Sequence, residues 1–273
     1  MNHHFGKIGD IWKHLPLAEI LQLNPPSHYW ETHAGSASYP LTETAARRHG
    51  VFNFVERAPA DAELEACSYL RALQDLPGVF PGSPLLAIRT LGQRASYLFC
   101  DIDPQSATSL RNEVAHLDAR VVEGDGPTAV AAEAQLGRVE PGDVLVLIDP
   151  FFPNERFTPE SPTSVELAAL LALAGYRIMF WYAYFELEER GWARRAVAEL
   201  APGVELWCGD TIMPISFTYP ERSGLFGCGI VLANATAAEQ ETCHRLGLAL
   251  ERISGNDIVP GNDPPYLTYQ RIR

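Results

Sequence analysis

The sequence predicts an α/β protein built on a mostly parallel sheet of about seven strands, and three observations carry that expectation. From Ser96 to Ala233, strand-like runs alternate with helical stretches of ordinary length, the signature of successive βαβ units. The run Val144-Leu145-Val146-Leu147-Ile148 is apolar without interruption, so both of its faces are expected to be buried, as in parallel sheets. The last strand, Leu225–Ala233, follows its predecessor without room for a full crossover helix, which suits an antiparallel finish.

The elements follow in order. Gly9–Leu23 places Ile11, Leu15, Leu17, Ile20 and Leu21 at helical spacing, and Asn24-Pro25-Pro26-Ser27 stops that helix. His28–Thr32 reads as a short strand, followed by a loop from His33 to Tyr39. Ala45–Gln93 is helical in pattern, with Asp61–Leu76 as its most periodic part and Phe80-Pro81-Gly82-Ser83-Pro84 as a turn before another helix. Strand Ser96–Asp101, helix Pro104–Leu117, strand Ala119–Glu123 and helix Thr128–Leu136 come next. Strand Asp143–Asp149, helix Ser164–Ala174, strand Tyr176–Tyr184, helix Leu187–Leu200 and strand Val204–Ile212 continue the alternation. Leu225–Ala233 is the last strand, and Thr236–Ile253 is a final amphipathic helix.

Bulk properties narrow the class. No apolar run approaches the roughly 20 residues of a membrane helix, and Met1–Asp10 does not have the make-up of a secretory signal, so a soluble cytoplasmic protein is expected. Five cysteines lie far apart with no CxxC pair, which argues for buried free thiols in a reducing compartment and against a zinc site; no metal is expected. The formal charge of −13 argues against a large basic face of the kind that grips nucleic acid.

In open α/β sheets the ligand sits outside the carboxyl ends of the strands, so residues just after strands are the functional candidates. The first strand ends in Glu31-Thr32-His33-Ala34-Gly35, where a glycine lets the backbone approach a ligand closely or simply makes a sharp turn. The second ends in Asp101-Ile102-Asp103-Pro104. Asp103, before a proline at the first helical position, fits a helix cap, leaving Asp101 to accept hydrogen bonds from ribose hydroxyls. The third ends in Glu123-Gly124-Asp125-Gly126, an acidic turn that could reach an adenine amino group. The fourth delivers Asp149-Pro150-Phe151-Phe152, a carboxylate followed by paired aromatics suited to a planar base.

Taken together, these spacings resemble the RlmJ-type methyltransferases, which modify the exocyclic amine of an adenine in large-subunit ribosomal RNA. The similarity covers most of residues 3–150. His14 falls in a helix motif of the form G-x-x-x-D-x-x-K-H with a shifted glycine, His33 in T-H-A-G, and Ser83 in P-G-S-P. Asp101 stands at an acidic position, Asp125-Gly126 matches D-G, and Asp149 opens D-P-P-Y. The resemblance implies a Rossmann-like class I methyltransferase fold, with a binding domain of residues 1–44 and 94–273 and a helical insertion over 45–93. It implies S-adenosylmethionine as cofactor, held by His14, His33, Gly35, Ser83, Asp101, Asp125 and Gly126. Asp149, Pro150 and Phe152 would be catalytic, with Asp149 and the Pro150 carbonyl accepting hydrogen bonds from the target amine. Two departures stand out: Phe151 replaces the second proline, and Phe152 replaces the tyrosine.

Phe151, Trp181, Tyr182 and Tyr184 are candidates for the substrate pocket, with aromatic faces that also favour a sulfonium. Strand alternation should turn about half of the cluster Phe180–Phe185 toward the site. The acceptor is an RNA adenine or a small molecule of a biosynthetic pathway, the latter methylated or formed by intramolecular alkylation that releases methylthioadenosine. Arg47, Arg48, Arg57, Arg71 and Arg89 on one face would favour RNA. A monomer or homodimer is expected.

Overall fold

Why the site lies where it does follows from how the strands are ordered. A computed structural model describes residues 5–254 and 266–272, so part of the Met1–Asp10 reading lies outside the described residues. In chain order, α1 (Ile8–Leu23) leads into β1 (His28–Glu31) and β2 (Ser38–Pro40). Four short helices follow: α2 (Ala45–Arg47), α3 (Asn53–Arg57), α4 (Ala62–Glu65) and α5 (Ser68–Gln74). Then come β3 (Val79–Pro81), α6 (Ser83–Leu91), β4 (Ser96–Asp101), α7 (Pro104–Glu113), β5 (Ala119–Glu123), α8 (Gly126–Gln135) and β6 (Val144–Ile148). The last third comprises α9 (Ser164–Leu173), β7 (Arg177–Tyr184), α10 (Trp192–Leu200), β8 (Leu206–Pro214), β9 (Leu225–Ala233), α11 (Ala237–Ser254) and β10 (Thr268–Ile272).

The main sheet has the order β10-β8-β9-β7-β6-β1-β4-β5. Strands β5, β4, β1, β6 and β7 are parallel, and β9 enters antiparallel between β7 and β8. The mostly parallel Rossmann-like sheet expected from the sequence is present, with an eighth strand, β10, added antiparallel on β8. The chain winds outward from β1 through β4 to β5, then returns to place β6 on the other side of β1. That reversal opens a crevice at the carboxyl ends of β1 and β6.

Local chemistry sets the boundaries. All five residues of β6 are buried, as its uninterrupted apolar run requires. Asp103 caps α7 by accepting the Gln105 N–H at 3.1 Å, with Pro104 at the first helical position where its missing donor costs nothing. Thr163 and Glu166 form a reciprocal capping box at α9. Helix α1 is apolar on most sides and correspondingly buried, packing against α5, α6 and α11.

Residues 45–93 depart from the continuous helices suggested by their periodicity. A π-turn centred on Gly50, the Pro59 turn and the caps at Asp61 and Cys67 break them into short pieces, and β3 pairs with β2 as a separate two-stranded ribbon. Their apolar side chains, including Val51, Phe54 and Tyr69, join the core that buries α1. The five cysteines are buried and unbridged. No helix among the described residues is long and apolar enough to cross a membrane.

Candidate active site

A cavity of about 470 Å³ opens at the β1/β6 crevice, within the size range of small-ligand sites. Its walls come from the ends of β1, β4, β6 and β7, from the first two turns of α1, and from the start of α6. It gathers His14, His33, Gly35, Ser83, Asp101, Asp149, Pro150, Phe151, Phe152 and Trp181. Residues separated by more than a hundred positions are thus brought together by one topological feature.

On the β1 side, Gly35 has φ +65°, a left-handed conformation that a glycine adopts without strain. A Cβ there would meet the Tyr39 hydroxyl at 2.5 Å, and that hydroxyl accepts the Ser36 N–H at 2.8 Å. The Gly35 N–H donates to Asp101 Oδ2 at 2.7 Å, and the Asp103 N–H donates to Asp101 Oδ1 at 2.8 Å. Asp101 therefore ties the ends of β1 and β4 together while facing the cavity. Burial raises its carboxyl above the usual range, against the pull of these two N–H groups.

Burial disfavours the charged form of both histidines at the cavity. Burial holds His14 well below its ordinary value, with Lys13 adding to the effect. Neither ring nitrogen of His14 has a hydrogen-bond partner, although it is only 2% exposed and lines the cavity. A buried polar group left in that state is rare, and a ligand is the natural partner. Burial lowers His33 to about 4, opposed by Asp125. Its Nδ1 lies 2.7 Å from Thr32 Oγ1.

At the β6 end, Asp149 accepts a hydrogen bond from the Lys13 ammonium, which also lies 3.4 Å from Asp10. Burial alone would lower Lys13, but the charges of Asp149 and Asp10 outweigh it and hold the ammonium above its usual range. Burial pushes the Asp149 carboxyl up, with Lys13 opposing. Phe151 and Phe152 meet edge to face, 4.7 Å between centroids, and are 65% and 58% exposed. They form an open aromatic platform at the rim; neither is core.

Four predicted positions lie outside the cavity's lining. Tyr182 and Tyr184 are buried on the opposite face of the sheet, donating to Asp210 Oδ1 at 2.6 Å and to the Thr211 carbonyl at 3.2 Å. The period of two along β7 sends Trp181 and Ala183 to the cavity and the two tyrosines away from it. Asp125 follows β5, an edge strand separated from β1 by β4, and its carboxylate caps α8 through the Thr128 N–H at 3.2 Å. It acts on the cavity only through its charge on His33. Gly126 also stays outside the lining; a Cβ there would meet the Thr32 carbonyl oxygen at 1.7 Å, so it permits α8 to pack on the end of β1.

Sequence reasoning passed over Lys13 and Glu31. Glu31 is 1% exposed at the end of β1, accepting from the Tyr29 hydroxyl and, at 3.2 Å, from Ser83 Oγ. Burial raises it to about 8. The available signal was a lysine and a glutamate beside residues already singled out, in Lys13-His14 and Glu31-Thr32-His33.

Comparison with known proteins matches this architecture. Residues 24–182, more than half of the chain, match the family model described as ribosomal RNA large subunit methyltransferase D, RlmJ. The match begins after the helix that carries His14 and runs through most of β7, further than the resemblance seen in the sequence. Ribosomal RNA large subunit methyltransferase J of Escherichia coli (strain K12) is 30% identical over 162 residues, 54% of this chain and 56% of that protein. That similarity therefore spans little more than half the length of the relative. The crystal structure of protein LPL1258 from Legionella pneumophila str. Philadelphia 1 shares the fold, with a TM-score of 0.73 at 18% identity over 98% of both chains. The chain belongs to the RlmJ family of ribosomal RNA large subunit methyltransferases.

Proposed function

We propose that this protein transfers a methyl group from S-adenosylmethionine to the exocyclic amine of an adenine in ribosomal RNA, in the cytoplasm. One observation carries the reading. A single cavity at the β1/β6 switch point joins Gly35 and Asp101 on one side to Asp149, Pro150 and Phe152 on the other, in a member of this family. In this reading residues 1–44 and 94–273 form the binding domain and 45–93 an insertion beside it.

The residues fit an adenosyl ligand. The unpartnered nitrogens of His14 ask for polar contacts, Gly35 leaves room for close backbone approach, and Asp101 suits ribose hydroxyls. When bound, the cofactor supplies an activated methyl group on a sulfonium. The protein's task is then placement of the nucleophile, which can contribute several kcal/mol. Asp149 and the Pro150 carbonyl would accept the N–H bonds of the target amine and aim its lone pair, and Asp149 would take the departing proton. The Lys13 ammonium opposes the upward push of burial on that carboxyl, and Phe152 offers its exposed ring as a stacking face.

A second reading keeps the cofactor and changes the acceptor to a small molecule. It is favoured by the formal charge of −13 and by the fate of the insertion's arginines. Arg47 is buried, Arg48 pairs with Glu43 at 2.6 Å, and Arg89 pairs with Asp75 at 3.4 Å. Incubation with methyl-labelled S-adenosylmethionine, with and without ribosomal RNA, decides between them by mass analysis of all products. Labelled N(6)-methyladenine in RNA with S-adenosylhomocysteine is the expected outcome. S-adenosylhomocysteine with unlabelled RNA, or methylthioadenosine, would overturn it.

A further inference from the structure

The cavity reaches further across the sheet than the residues assigned to the cofactor. Its walls begin at Asp101 after β4, pass Gly35 after β1 and Asp149 after β6, and continue over Trp181 of β7 to Phe226 of β9. In the order β9-β7-β6-β1-β4, four strand intervals separate the two ends, a span of roughly 19 Å at ordinary strand spacing. The connection from β8 to β9 adds Thr218 and Tyr219 to the lining at the same edge, because β8 runs parallel to β7 and ends beside the start of β9. Gly35 and Asp101, proposed for the adenosyl group, stand on the other side of Asp149, so the β7/β9 end is left for the acceptor.

Rings wall that end. Phe226 meets Phe185 at 5.8 Å and Tyr219 at 6.3 Å between centroids, both edge to face. Helix α1 packs against the same wall: a Cβ on Gly9 would meet Trp181 at 3.2 Å and Phe226 at 3.7 Å. The next residue, Asp10, lies 3.4 Å from the Lys13 ammonium that donates to Asp149, so the ringed end adjoins the position proposed for methyl transfer. The Thr218 N–H donates to the Ile215 carbonyl at 3.0 Å, which closes a turn and fixes the residue. Thr218 is only 5% exposed and lines the cavity, yet its Oγ1 has no hydrogen-bond partner among the described residues. The fold gains nothing from that hydroxyl, since an apolar side chain of the same shape would avoid its desolvation cost. A buried hydroxyl left unmatched at a cavity wall points to a ligand.

Aromatic walls with a single hydroxyl suit a planar ring that carries a polar edge, and a hydroxyl can donate to a ring nitrogen. Resting on the adenine acceptor proposed above, we infer that Thr218 is a specificity residue. Its hydroxyl donates to N1 or N7 of the acceptor base, the two ring nitrogens that flank the amine oriented by Asp149. The contact involves no charge, so it selects the base in a chain of formal charge −13 without a basic face.

The test uses the full chain and three short single-stranded RNAs that differ at one position, which carries adenine, 1-deazaadenine or 7-deazaadenine. Each is titrated in a calorimeter into the native protein, Thr218→Val and Thr218→Ser, all saturated with S-adenosylhomocysteine. The native protein should bind one of the two deaza RNAs roughly 10-fold more weakly than the adenine RNA, as for a buried hydroxyl left unmatched. The analogue affected names the nitrogen. Thr218→Val should bind the adenine RNA roughly 10-fold more weakly than the native protein does, and should no longer distinguish that analogue from adenine. Thr218→Ser should keep the native pattern. S-adenosylhomocysteine affinity should hold in both variants, and urea unfolding should find Thr218→Val at least as stable as the native protein, because no intramolecular hydrogen bond is lost. Equal native binding of all three RNAs, or discrimination kept by Thr218→Val, overturns the role of Thr218 alone. So does a loss of S-adenosylhomocysteine affinity in Thr218→Val, or a loss of stability that serine restores. Absence of native binding to any of the three RNAs would overturn it together with the adenine acceptor.

Discussion

Replacing Lys13 by methionine removes the ammonium that faces Asp149 and leaves a buried carboxylate with no opposing charge in contact. The two side chains are 10% and 18% exposed, so water screens the loss only weakly. Removing a contacting opposite charge raises a carboxyl by roughly 1–3 pH units, and each unit corresponds to about 1.4 kcal/mol. The expected loss of stability at pH 8 is therefore about 1.5–4 kcal/mol. Breaking a fully buried pair costs about 3–5 kcal/mol. The lower figure applies here because Asp149 escapes by taking up a proton. The sign follows from linkage. Burial already holds the folded Asp149 above its usual range, and the variant raises it further. A raised carboxyl carries no penalty below its unfolded value near about 3.9; the penalty grows as pH rises toward the folded value and is constant beyond it. Urea unfolding of both proteins at pH 5 and pH 8, followed by circular dichroism, measures the difference. The variant's deficit should be clearly larger at pH 8. Equal deficits at the two pH values, or none, would refute the charged buried pair.

Other perturbations probe separate parts of the site. Asp149→Ala should abolish turnover while S-adenosylhomocysteine affinity stays within a few-fold; loss of that affinity would move Asp149 into the cofactor's binding set. Asp101→Ala should do the reverse, weakening binding by about 1.5–3 kcal/mol as for a charge-assisted hydrogen bond, and an unchanged dissociation constant would remove it from the site. Gly35→Ala meets both a positive φ and the Tyr39 hydroxyl, so thermal or urea unfolding should show a loss of about 1–2 kcal/mol or more; a neutral substitution would mean the loop is not held as described. Glu31, raised to about 8, is protonated in the fold at neutral pH but ionised in the unfolded chain. Its contribution to stability should fall as pH rises from about 4.5 toward 8, and Glu31→Gln should flatten that slope; parallel pH profiles would contradict it.

What could be read from the sequence was whatever local chemistry determines. The Val144–Ile148 run announced a doubly buried strand, and the Asp103-Pro104 pair announced a cap, which left Asp101 for the cavity. Strand ends located most of the candidates that reach the cavity, because parallel topology brings carboxyl ends together whatever their distance along the chain. What escaped depends on position across the sheet. Asp125 sits at a strand end like the others, but β5 is the edge strand, and nothing local says which strand will be outermost. Tyr182 and Tyr184 looked equivalent to Trp181 by composition, while alternation separates them. Lys13 and Glu31 gain their roles only through burial beside Asp149 and Ser83, a property of tertiary packing. Strand β10 is recognisable only once the β8 edge exists to receive it.

Everything proposed for this protein requires that the β1/β6 cavity take an adenosyl ligand. Titration of the native protein with S-adenosylhomocysteine in a calorimeter should give saturable, one-to-one heat, with His14→Ala weakening it because the ligand loses the buried imidazole whose nitrogens have no other partner. Absence of heat at protein concentrations where the fold is intact, or affinity indifferent to His14, would contradict the assignment of this cavity.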